Sequence, residues 1–104
     1  MIISTTDKVP NKEIIEIIGI ARGNSVRARH IGRDFFAGLK NIVGGEIDEY
    51  TKLLDQSREQ AMQRMIRDAE KMNADAIVNI RFTTSMVMQA TSEILAYGTA
   101  VKLS

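Results

Sequence analysis

Two stretches of this chain are apolar on both sides of an extended strand, and nothing else in the sequence constrains the fold as much. Glu13 to Arg22 carries Ile14, Ile15, Ile17, Ile18 and Ile20. β-branched side chains at this density favour a strand, because their stiff χ1 suits a pleated surface. Glu93 to Leu103 carries Ile94, Leu95, Tyr97, Val101 and Leu103. A strand that is apolar on both faces needs a covering layer on each side. The chain has 104 residues with which to build those layers, enough for one domain with a thin core.

Other segments supply the remaining elements. Met1 to Ser4 reads as a short strand, and Asp7 to Lys12 as a polar turn in which Pro10 sets φ and Asn11 tolerates a left-handed conformation. Gly23-Asn24 marks a bulge or turn before a polar stretch, Ser25 to His30. From Arg33 the period changes. Phe35, Leu39 and Ile42 form a stripe with Phe36 and Val43 beside it, a short amphipathic helix that Gly44-Gly45 stops. A long helix is expected from about Ile47 to Met72, with Leu54, Ala61, Met65 and Met72 inward and Arg58, Arg64, Arg67, Asp68 and Glu70 in water. Asn73 is placed for a left-handed cap. Ala76 to Ser85 returns to a strand, with Ala76, Val78, Ile80 and Phe82 predicted on one face and Ile77, Asn79, Arg81 and Thr83 on the other. The order β-β-α-α-β-β predicts one α+β domain spanning residues 1–104, a small and mainly antiparallel sheet with one short and one long helix on one face.

Two helices cover one face of such a sheet and leave the other open. The exposed patch would reach on the order of several hundred Å², more than an isolated domain usually tolerates. Association between copies removes it. Charge is also uneven: residues 1–45 sum to +3 and residues 46–104 to −2. A basic edge meeting an acidic edge head to tail closes a ring.

Several function classes are excluded or disfavoured by composition. The chain has no cysteine, so disulfides, thiolate metal sites and cysteine nucleophiles are ruled out. Lys+Arg 14 against Asp+Glu 13 gives no overall attraction to nucleic acid or acidic lipid. No apolar run is long enough to span a membrane, and Met1 to Asp7 does not resemble a signal peptide. The expectation is a soluble, cytoplasmic protein with no cofactor and no membrane partner.

Phe35 to Gly45, reading Phe-Phe-Ala-Gly-Leu-Lys-Asn-Ile-Val-Gly-Gly, resembles the most distinctive motif of the YbjQ-like family, which is labelled heavy-metal-binding. Further matches follow in order: Tyr50 and Leu54, Arg58 to Ala61, Met72 to Phe82, and Gly98 to Val101. The resemblance covers nearly the whole chain. It implies a small α+β protomer in a homo-oligomeric ring, a pentamer, and singles out Gly38, Gly44, Gly45 and Asn73 as structural motif positions. It implies no activity. Asn73 and Asn79 stand where the family commonly has glycine, and Asn11 where a Pro-Gly turn is usual. Asn79 would add a side chain inside a strand, against any ligand that needs close backbone approach there.

Each chemical candidate has a plainer reading beside it. Soft metals want thiolates, and only thioethers are present. Met62 and Met65 lie one turn apart on the long helix, and Met86 and Met88 would share a strand face, but methionine at such spacing usually fills core gaps. Glu46, Asp48 and Glu49 could hold a hard cation, though acids at a helix start ordinarily serve its dipole. His30, flanked in sequence by Ser25 and Asp34, invites a triad; the three fall on a connector and a helix start rather than at one point. No catalytic residue is assigned. Arg22, Arg27, Arg29, His30 and Arg33 form the one dense basic stretch, with Arg29, His30 and Arg33 the candidates for holding a small ligand. Nucleic acid is the less favoured occupant, because Phe35 and Phe36 fit a helix core stripe.

Overall fold

The computed structural model describes residues 1–27, 48–88 and 91–104. Among these residues five elements follow: β1 (Ile2–Ile3), β2 (Ile14–Arg27), α1 (Asp48–Lys71), β3 (Ala76–Met88) and β4 (Thr91–Leu103). The strands form one sheet in the order β1-β3-β4-β2, with β1 parallel to β3 and the other pairs antiparallel. The α+β class is as the sequence predicts, in a mixed sheet. The expected short helix at Arg33–Val43, with Gly38 and its Gly44-Gly45 stop, lies outside the described residues.

Helix α1 lies across β2 and β4. Ala61, Met65 and Ala69 are fully buried against Ala21, Ala96 and Ala100, with Ile77, Ile80 and Ile94 closing the cluster. Small residues on both sides bring helix and sheet close together. At Gly23 the approach is tightest: a Cβ would collide with the amide of Met65 and the carbonyl of Ala61. The sequence places a bulge or turn at Gly23-Asn24, but the strand runs straight through, with Gly23 opposite Ala96. The glycine is there for the helix backbone rather than for a bend. Ser25, expected on a polar connector, is likewise a buried strand residue, and its hydroxyl bonds Gln60 Oε1 at 2.8 Å.

The C-terminus of α1 is closed as the sequence predicts. Asn73 has φ 59°. Its N–H donates to Glu70 O at 3.0 Å while Ala74 N–H donates to Ala69 O at 3.1 Å, the paired bonds of a Schellman cap. The polar turn also holds: Asn11 has φ 65° and Lys12 N–H donates to Val9 O at 3.2 Å, a type II arrangement with Pro10 leading.

One strand departs from simple alternation. A register shift falls between Val78 and Arg81, where Asn79 takes φ 53°. This bulge turns the strand over by one residue. Ala76 and Val78 therefore face away from α1, while Ile77 joins Ile80 under it. The predicted grouping of Ala76 and Val78 with Ile80 is thus corrected, and Asn79 sits at a left-handed bulge position rather than within a regular ladder.

Candidate functional site

The surface that distinguishes this protomer is the sheet face turned away from α1. Its rows follow from the register: Ile17–Val101–Ala76, Ile20–Thr99–Val78, Arg22–Tyr97–Arg81, Asn24–Leu95–Thr83 and Val26–Glu93–Ser85. The N-terminal segment covers one end. Val9 folds over Ala76, Val78 and Val101, with Leu103 beside them, as a second small core. Arg81 pins this segment by donating to Thr5 O at 3.0 Å, and Asn79 N–H donates to Thr6 O at 3.0 Å. Beyond that point no described segment covers the face. Ile17 is 71% exposed, Ile20 67% and Tyr97 39%, with Ile15 and Val26 also exposed. The polar groups among them are partly satisfied, as where Asn24 Nδ2 donates to Glu93 Oε2 at 2.9 Å.

Depressions lined by described residues flank the fold, three of them notable. The N-terminal turn, from Thr6 to Ile14, rims one of about 900 Å³. A second, about 640 Å³, runs along α1 between Asp55 and Arg67 and includes Glu59 and Gln60. The third, about 290 Å³, lies where α1 crosses the outer edge of β2 and is lined by Arg64, Arg67, Asp68 and Lys71 beside Arg22 to Asn24. Here two helix side chains engage the strand edge itself. Asp68 Oδ2 accepts from Arg22 N–H at 3.0 Å, and Arg64 donates to Asn24 O at 2.6 Å.

The sequence candidates are dispersed. Arg29, His30 and Arg33 lie outside the described residues, as do Asp34 and Glu46 and the side chains of Arg27, Asp48, Glu49 and Met88. Met65 is fully enclosed under the sheet and Met62 is half-buried against the same cluster. Met86 stands exposed near the end of β3, and a register shift separates it from Met88. Among the described residues no three His, Cys, Asp or Glu side chains converge on a possible metal site. No described helix is long and apolar enough to cross a membrane. Sequence reasoning missed the seating of Val9 on the second face and the capping of the β2 edge by α1. Neither leaves a motif, because each depends on which segments the fold brings together.

A family model described as "Putative heavy-metal-binding" matches residues 1–104. A UPF0145 protein of Methanosarcina acetivorans is 57% identical over 103 residues, covering 99% of this chain and 97% of the relative. One from Archaeoglobus fulgidus is 58% identical, covering 99% and 95%. A solved structure of a protein with unknown function from Pediococcus pentosaceus, of the DUF74 family, superposes with a TM-score of 0.68. It is 18% identical, and the match covers 100% of this chain and 98% of that one, a likeness of fold alone. The motif, spacing and full-length identity agree: the chain belongs to the YbjQ-like family, the UPF0145 proteins.

Proposed function

We propose that this protein is a non-enzymatic module that works as a homo-oligomer, its copies closing head to tail into a cytoplasmic ring with a small ligand held at the boundaries between them. The observation that carries the reading is the open sheet face, where Ile17, Ile20, Val26 and Tyr97 are exposed and have no covering layer among the described residues. Covering the exposed part of such side chains with a second copy is worth about 25 cal/mol per Å² of apolar surface. The shape supports it as well. The chain spans 54 × 27 × 16 Å with a radius of gyration of 17.0 Å, against about 13 Å for a compact domain of this length. The unequal charge of residues 1–45 and 46–104 suits a head-to-tail contact. Five copies is the number the family resemblance implies.

Light scattering coupled to gel filtration tests the assembly. A particle of several times 11.6 kDa at micromolar concentration is the expected result; a stable folded monomer overturns it. Native mass spectrometry of the same sample, purified without chelator, reports subunit number and any retained small molecule together.

The family's description favours a second reading, metal binding through thioether or carboxylate ligands. Met86 offers an exposed side chain to a soft ion such as Cu(I), whereas Met65 is enclosed. Saturable Cu(I) binding that Met86→Leu abolishes would support this reading, and unchanged binding in the variant removes Met86 from it.

A further inference from the structure

The sheet has two outer edges, and they are finished differently. The edge of β2 is blunted along much of its length. Register shifts interrupt it between Ile14 and Glu16 and between Ile17 and Gly19. Farther along, Asp68 takes the Arg22 amide and Arg64 takes the Asn24 carbonyl. Bulges and side chains that occupy edge groups are the usual devices against strand addition.

The edge of β3 is protected only at its start. The N-terminal segment pairs along it as far as Ile80, whose N–H donates to Ser4 O at 3.1 Å. From there Arg81, Thr83 and Ser85 pair with Tyr97, Leu95 and Glu93 of β4. In an antiparallel ladder the amides of alternate residues point the same way. The Arg22 amide points outward from β2, so Ala21, Gly23 and Ser25 bond across to Gly98, Ala96 and Ile94. Tyr97, Leu95 and Glu93 therefore bond to β3, and Phe82, Thr84 and Met86 turn their amides and carbonyls to the open edge. None of these three has a backbone partner there among the described residues. Phe82 is 43% exposed and Met86 75%, an apolar edge without lysine, proline or register shift between these two residues.

We infer that this edge pairs with the same edge of a second copy, antiparallel about a two-fold axis through Thr84. The sequence is self-complementary about that point. Phe82 falls opposite Met86, a sulfur–aromatic pairing, Thr84 falls opposite Thr84, and Thr83 opposite Ser85. No like charges meet, since Arg81 falls opposite Val87. All the edge groups of both strands from Phe82 to Met86 are satisfied by this one register, and a slip by one residue would point them away. The contact is isologous and uses a surface separate from the open sheet face. It therefore stands or falls apart from the ring: added to a ring it joins two rings, and without one it makes a dimer.

The protein has no cysteine, so Thr84→Cys introduces a unique thiol at the symmetry axis. Directly opposed residues of this kind have Cα atoms about 5.5 Å apart, within disulfide reach. Mild oxidation of the full-length variant should yield a covalent pair, about tenfold faster than for Lys52→Cys at an exposed position of α1. Phe82→Lys should reduce the particle mass twofold with secondary structure intact. Thr84→Cys that stays unlinked, or links no faster than Lys52→Cys, overturns the inference, as does an unchanged mass in Phe82→Lys. Combining Thr84→Cys with Ile20→Ser separates the two proposals. Cross-linking that persists after the mass has fallen shows edge pairing in its own right. Cross-linking lost together with the larger assembly makes the edge contact a by-product of it and overturns the inference.

Discussion

Under α1, β2 presents Ala21, Gly23 and Ser25; on the opposite side it presents Ile17, Ile20 and Val26. Apart from Ile18, which packs at the margin of the α1 cluster, the buried face thus holds the small residues and the open face the large ones, the reverse of what a self-sufficient domain would do with the same side chains. The inversion has a mechanical cause on one side. Helix and sheet backbones approach so closely at Gly23 that no side chain fits between them, and stability there comes from dense contact rather than from bulk. On the other side the isoleucines have nothing among the described residues to pack against. The difference teaches that the helix-covered layer makes the protomer, while the open layer is free to make contacts beyond it.

The largest expected effect lies where α1 meets the sheet. Met65 is fully enclosed among alanines and isoleucines. Met65→Asp would bury an unpaired carboxylate at a cost above about 4 kcal/mol, enough to unfold a domain this small. Circular dichroism should show loss of helix; a folded variant would mean that the inner face of α1 is assigned wrongly. Next comes Gly23→Ala. The added Cβ forces α1 away from β2, and we expect a loss of about 2–3 kcal/mol in chemical denaturation. A neutral result would show that the close approach is not what holds the helix in place.

A smaller effect is expected at the bulge that swaps the faces of β3. Asn79 at φ 53° takes a conformation that costs most other side chains about 1–2 kcal/mol. Asn79→Ala should lose about that amount, and Asn79→Gly should lose little or nothing. If both lose equally, the asparagine is held by its side chain rather than by its backbone.

This bulge marks where legibility in the sequence ends. The long helix, its Asn73 cap and the Pro10-Asn11 turn were readable because each is a local event with its own residue chemistry. The apolar character of β2 was readable from isoleucine content, but the register shifts that bring Ile17 and Ile20 onto one face were not. Asn79 was not, because an asparagine within a β-rich run looks like an ordinary ladder position until its φ is known. One left-handed residue then moved Ala76 and Val78 to the other face. Val9 was equally opaque: a lone valine in a polar turn becomes a core residue only because β1 runs parallel to β3 and carries it there. The candidate surface was therefore legible as a need for cover, but not in its outline.

The mildest prediction for the protomer bears most directly on the comparison. Ile20 is exposed on the open face, so Ile20→Ser should change the stability of a single folded copy by less than about 0.5 kcal/mol. If that face joins copies, the wild-type melting temperature rises with protein concentration, since association draws the folded state forward. The variant should lose that dependence and elute at lower mass while its spectrum stays native. The opposite pattern, a destabilised chain of unchanged mass, would mean that Ile20 is needed within its own protomer. The two faces would then differ in side-chain size but not in purpose, and the inversion of small and large across β2 would no longer argue for a partner.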